Sequence, residues 1–445
     1  MNRLILRSCS GAALVALGSM ATACGAKTEL RSTGGDAGGS AASSTTTGSA
    51  SSSSSASTGG GVACDQLETF EPVGIMPAGT VGVGWAPEIA RSPDGFAYHL
   101  SIEPTSALGD TLVMYLLDAF SSWPPNVVSP TSLTGPVTDY ALGPGPSEPT
   151  ALVYHPISGP TLATRIVPSY VETAAQVIDG DTPLLVAGVE DRFLFAGSTS
   201  FSPFASHLRV GSYQPGGLPQ VEPPEACMGS APVGAVVPSG AGFLGAFSLP
   251  NPPGLFDCNG PPYASIVSVG RYEVPPEPGS FISFEQGVQR VTGDLVSHVA
   301  MAPASFGAWV VYQTAGLDAE VPPPIVAFQV DGHGAALPDP SNPVDVAVSP
   351  QGTFSAVAVA ALGDSLAVAW IDSLDPSAPT IMVQIVRPDL SLGPATSIPT
   401  GALWYTGRLR MIGSLSGGTL LLSWESSIDD QWQRALARID CIGGP

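Results

Sequence analysis

Five histidines, His99, His155, His207, His298 and His333, are the obvious candidates for metal or proton chemistry, and their spacing supports neither. No HExxH occurs and no two stand at helical or strand spacing, so they suggest no metal site and no triad. No serine has glycine two residues away on both sides, which removes the hydrolase nucleophile elbow. No GxxxxGKS/T is present, so no P-loop phosphate cradle is expected. Carboxylates are the remaining currency. Asp179 and Asp181 in "IDGDTP", and Asp429 and Asp430 in "SSIDDQW", offer the oxygen ligands that calcium takes, but without the spacing of a calcium loop they read as solvated turns. The sequence therefore calls for no metal and no cofactor.

The six cysteines divide by position. Cys9 and Cys24 both precede the folded part, leaving Cys64, Cys227, Cys258 and Cys441 for two disulfides with three possible connectivities. None of them has the spacing of metal ligands.

Any such residues must be positioned by strands. The chain has 445 residues, 52 of them Gly and 45 Pro, with 44% hydrophobic residues, a composition of short strands joined by many turns. Its formal charge is -22, and Lys27 is the sole lysine, which argues against nucleic acid as a partner.

Seven apolar segments recur: "TLVMYLLD" from 111, "TALVYHP" from 150, "RFLFAGS" from 192, "GFLGAFSL" from 242, "GAWVVYQ" from 307, "SLAVAWID" from 365 and "TLLLSWES" from 419. Most are followed by a second strand-like segment, such as "TIMVQIV" from 380, so the repeating unit contains a hairpin. Successive first segments lie about 40 to 65 residues apart, the range of four-stranded propeller blades with variable loops. "ALGDTLVMYLLD" from 107 and "ALGDSLAVAWID" from 361 echo each other, pointing to duplicated blades. The second also raises the possibility of a membrane span. A helix through residues 354–371 would bury Asp364 at mid-membrane, at about 2.5 to 3.5 kcal/mol, so a hairpin turning at Gly363-Asp364 is expected instead. Trp370 and Trp424 hold matching places in it, as packing residues between blades.

The expected fold class is all-β: a β-propeller of seven blades at about 55 residues each. The alternative is a tandem pair of β-sandwiches separated by the Pro-rich stretches near 215–235 and 272–280. In a propeller the last blade, ending "RALARIDC", lacks an outermost strand, which residues after Cys64 would supply. That places Cys64 beside Cys441 at the seam, while Cys227 and Cys258 meet on the loop face. The same face collects Phe256, Asp257, Asp318, Asp372, Asp375, Asp429, Asp430 and Trp432 as an acidic, partly aromatic candidate binding rim. "SPDG" at 92–95 resembles the turn of WD40-like periplasmic propellers. It resembles the sialidase Asp-box too, but that motif's later Gly-Thr-Trp is missing, so the enzyme family is not carried over.

The first residues carry an address. Arg3 and Arg7 precede a short apolar run too short to span a bilayer, and Ala21-Thr22-Ala23-Cys24-Gly25 resembles the bacterial lipoprotein processing site. That resemblance implies removal of residues 1–23, lipidation of Cys24, and anchoring at the cell envelope, with Gly25 fitting the outer-membrane habit of Gram-negative lipoproteins. Residues 24–61 are rich in Gly, Ser and Thr and read as a disordered tether, leaving 62–445 as the folded domain. The functional expectation is a membrane-tethered, non-catalytic binding or scaffold module for an envelope protein or glycan. The alternative is a glycan-active enzyme that gathers carboxylates at the propeller tunnel.

Overall fold

Every described element of the chain is a strand or a turn. The computed structural model describes the thirty strands named below, the turns at 70–72, 119–125, 305–306, 332–338, 363–364 and 387–391, and a few flanking residues. Residues 1–63 and the remaining connections lie outside the described residues. No helix among them is long and apolar enough to cross a membrane.

β1 (Cys64–Thr69) and β2 (Val73–Pro77) both pair antiparallel with the chain's last strand. β3 (Glu88–Arg91), β4 (Ala97–Pro104), β5 (Asp110–Asp118) and the first half of β6 (Asn126–Gly143) pair in order. The second half of β6 passes into the next group, pairing with β7 (Thr150–Pro156) and then β8 (Thr161–Val167). β9 (Tyr170–Val171) and β10 (Ala175–Ile178) both pair with β8.

β11 (Thr182–Val189), β12 (Arg192–Ser202) and β13 (Ala205–Tyr213) follow, with β14 (Gln220–Val221) and β15 (Ala226–Met228) both paired to β13. Three four-stranded meanders come next. They are β16 (Gly234–Ser239), β17 (Gly242–Pro250), β18 (Ser265–Glu273) and β19 (Ser283–Val291); β20 (Val296–Ala304), β21 (Gly307–Thr314), β22 (Pro324–Asp331) and β23 (Val344–Val348); and β24 (Phe354–Leu362), β25 (Ser365–Asp372), β26 (Thr380–Val386) and β27 (Leu392–Pro399). β28 (Leu409–Gly413), β29 (Thr419–Ile428) and β30 (Gln431–Gly443) make the last sheet, completed by β1 and β2.

The long apolar runs follow from where the cores sit. Side chains alternate across a strand, and each core here lies between two successive sheets, so both faces of a middle strand are buried. On β25, Leu366, Val368 and Trp370 pack toward Trp309 and Val311 of the preceding sheet. Ala367, Ala369 and Ile371 pack the other way, toward Leu422 and Trp424. Trp370 and Trp424 are buried packing residues, as expected. Val267 and Val269 likewise meet Met301 and Val310, and Ala187 and Leu194 meet Phe243 and Tyr272. Both Pro-rich stretches are thus spanned by shared cores, and no break between two sandwiches occurs among the described residues.

The first strands of successive groups pack side by side: β11 on β16, β16 on β20, β20 on β24, β24 on β28 and β28 on β3. Six of the seven apolar segments are second strands. "TLVMYLLD" is the exception, because β3 precedes β4 and makes β5 the third strand of its sheet. The echoed hairpins therefore occupy different places, β4-β5 in one sheet and β24-β25 in another. "SPDG" lies outside the described residues.

The hairpin in place of a span is borne out. Gly363 turns it with φ 57°, a left-handed conformation that suits glycine. Asp364 beside it joins two sheets: its backbone oxygen accepts from Trp309 Nε1 at 2.9 Å, and its Oδ1 accepts from the Ser305 amide at 2.8 Å. We predict that Asp364→Ala lowers stability by about 1 kcal/mol, since the Trp309 bond to backbone survives. A urea midpoint unchanged from the parent would refute that.

The seam forms as expected. β1 is antiparallel to β30, and Cys64 and Cys441 are joined in a disulfide with Cα atoms 5.4 Å apart. Leu421 and Leu436 of this last sheet pack on Ile89, Ala97 and Leu117, so its other face is covered by the first.

Candidate functional site

His298 stands near the start of β20, where the ladder is irregular. Val296 pairs with Thr314 and His298 with Gln313, leaving Ser297 as an extra residue without a partner across the pair. Such a bulge bends the strand and re-aims the neighbouring side chain. A similar irregularity occurs near the start of β24, where Ala356 has φ 55°. The Ser297 hydroxyl lies 3.3 Å from the Gln313 backbone oxygen and 3.2 Å from His298 Nδ1.

Arg410 comes from the second position of β28, with Nη1 3.4 Å from the Leu409 carbonyl. β24 lies between β20 and β28, so His298 and Arg410 come from strands two apart, and the Arg410 charge acts on the imidazole from there. Burial holds the His298 imidazole below its ordinary value, and the nearby Arg410 charge pushes it the same way; a hydrogen bond with the Gln313 side chain opposes both. At neutral pH the ring is therefore uncharged. A neutral imidazole with a lone pair, beside a permanent cation, can take a proton while the cation stabilises developing negative charge.

On the opposite face of β21, burial raises the Tyr312 hydroxyl above its ordinary value, with Arg290 opposing. Arg290 also lies 5.6 Å over the Phe328 ring, tying β19 to the neighbouring sheet. This second cluster is packing between sheets.

The depressed His298 value gives a stability prediction with a definite sign. Below the ordinary value of 6.5 the unfolded chain binds a proton at this residue that the folded protein does not. Stability should fall as pH drops from 6.5 toward the folded value, and His298→Asn should flatten that part of the profile. Parallel profiles for the two proteins in urea titrations across this range would contradict the assignment.

Two residues of the expected rim, Asp372 and Trp432, fall among the described residues. Asp372 is the last residue of β25, half-buried and paired with Phe354 and Thr380. Trp432 sits on β30 opposite Ser427. Phe256, Asp257, Asp318, Asp375, Asp429 and Asp430 lie outside the described residues, as do Cys24, Asp179 and Asp181. Cys227 is on β15 opposite His207, while Cys258 lies outside the described residues, so their pairing stays an expectation. No group of three His, Cys, Asp or Glu residues able to hold a metal occurs among the described residues. Of the first strands, β11, β16, β20, β24 and β28 contain no Asp or Glu, while β3 carries Glu88 and β6 carries Asp139. Spacing alone missed His298 because its partner comes from a strand two sheets away. The signal that could have found it is a lone polar ring inside the apolar run "LVSHVAMAP".

No protein family matches the sequence. No curated protein matches it either. Solved structures do resemble the fold. A polysaccharide lyase, an ulvan lyase bound to a saccharide of glucuronate and sulfated rhamnose, has a TM-score of 0.50 at 8% identity, covering 82% of this chain and 95% of its own. The Trypanosoma rangeli sialidase has a TM-score of 0.41 at 9% identity, covering 84% of this chain; the match spans only 58% of the sialidase. A subtype N11 neuraminidase-like protein of an A/flat-faced bat/Peru (H18N11) strain has a TM-score of 0.38 at 8% identity, covering 86% and 96%. All three are glycan-active proteins of propeller type. The expectation of a non-catalytic binding or scaffold module is corrected to this extent: the solved structures that share the fold are a lyase, a sialidase and a neuraminidase-like protein, and none is a binding module.

Proposed function

We propose that this chain is a glycan-active enzyme that cleaves an acidic polysaccharide, with His298 as its base and Arg410 as its anion partner. The observation that carries the reading is the half-buried imidazole on β20, uncharged at neutral pH, under the charge of Arg410 on β28, two first strands away. In a uronate-containing chain, His298 would remove the proton next to the carboxyl group while Arg410 offsets the charge that gathers on it. The glycosidic C–O bond then breaks, a C=C bond forms in its place, and the leaving oxygen takes a proton. The resemblance in fold to a polysaccharide lyase is consistent with this reading, and the substrate class comes from the site's own chemistry.

Around this site we place seven blades. The eight-stranded sheet divides at β6, which serves as outer strand of one blade and inner strand of the next; the remaining five sheets supply one blade each. The chain would be held at the cell envelope by a lipid on Cys24, through residues 24–61, as an outer-membrane lipoprotein with a glycan partner and no nucleic acid. Palmitate labelling that is lost in Cys24→Ser tests the anchor.

The function is tested by incubating the purified protein with a panel of uronate-containing polysaccharides and reading new reducing ends together with unsaturated-uronate absorbance. Both signals on at least one polymer support the proposal. Reducing ends without unsaturation would replace elimination by hydrolysis, and cleavage of none would overturn the enzyme reading.

A further inference from the structure

We infer that Ser297 is a positioning residue, whose hydroxyl holds neutral His298 in the tautomer with its proton on Nδ1 and leaves Nε2 as the basic atom. The argument is a count of protons. The Ser297 hydroxyl has two partners, the Gln313 carbonyl oxygen at 3.3 Å and His298 Nδ1 at 3.2 Å. A carbonyl oxygen can only accept, and a hydroxyl has a single proton to give. Both contacts are hydrogen bonds at once only if Ser297 donates to the carbonyl and accepts from an Nδ1–H. The ring's remaining lone pair is then on Nε2.

The backbone explains how neighbouring residues come to be bonded. On a regular strand Ser297 and His298 would project to opposite faces. The bulge releases Ser297 from the ladder, and the register resumes at His298 opposite Gln313. One extra residue thus brings the hydroxyl beside the ring and within reach of the facing strand's carbonyl. The partner on one ring nitrogen sets which nitrogen carries the proton, and hence which one is the base.

The catalytic consequence rests on the proposed function; the tautomer does not. Long-range proton–nitrogen spectra of the purified protein, with His298 identified by its loss in His298→Asn, read the tautomer directly. The expected result is a protonated Nδ1 and an unprotonated Nε2 at neutral pH. Ser297→Ala should mix the two tautomers, while Ser297→Thr, which keeps the hydroxyl, should restore the first. On a cleaved polymer, Ser297→Ala should lower kcat about tenfold to a hundredfold with KM nearly unchanged. A proton on Nε2 in the parent, or spectra that Ser297→Ala leaves unaltered, would overturn the inference. The expected tautomer in a protein that cleaves no polymer would leave this inference standing and sink the proposed function alone.

Discussion

Replacing His298 by alanine should reduce polysaccharide cleavage by about 10²- to 10⁴-fold, the range expected for loss of a general base. The loss should fall on kcat, because the imidazole acts as the proton moves and contributes little to holding a long polymer. Arg410→Met, which keeps length without charge, should weaken both binding and turnover, since a fixed cation meets the substrate carboxylate in ground state and transition state alike. The two variants together discriminate. If His298→Ala retains full activity on a polymer the parent cleaves, the base lies elsewhere. The fold should survive, for His298 is half-buried near a strand start and its change leaves the cores between sheets untouched.

The second large effect concerns stability. Cys64 and Cys441 are separated by 377 residues, so their bond closes nearly the whole folded chain into a loop. The chain-entropy relation gives about 6 kcal/mol of stabilisation for a loop of this length, as an upper expectation. Changing both cysteines to serine should lower the urea midpoint by more than any single core substitution in the protein. The β1 and β2 pairing to β30 remains available to such a variant, so the native fold should persist at low denaturant. A midpoint within error of the parent would mean that the strands alone close the seam.

Much of the architecture was legible in the sequence, and the reason is periodicity. A strand covered on both faces cannot alternate, so β21, β25 and β29 declare themselves as unbroken apolar runs. The seam was legible for a related reason: "RALARIDC" left a last sheet short of an outer strand, and the cysteines on either side of the gap named its partner. The echo at 107 and 361 misled about position, because identical turn chemistry fixes a hairpin without fixing where it stands in a sheet. The site was illegible by spacing. His298 and Arg410 are brought together by strand order, and Ser297 acquires its role through one inserted residue that no local pattern distinguishes. Loop carboxylates attracted the sequence reading because acids stand out in loops, whereas the proposed base and cation lie on strands.

The crosslink has one mechanical consequence. Cys64 is the first residue of β1, and its sulfur is bonded to a residue near the end of β30. Tension arriving from the N-terminal side enters the last sheet covalently at that point, before it reaches the hydrogen bonds of β1 and β2. Those strands are thereby spared from peeling one rung at a time, and a drag force on the body would be borne by a sulfur bridge.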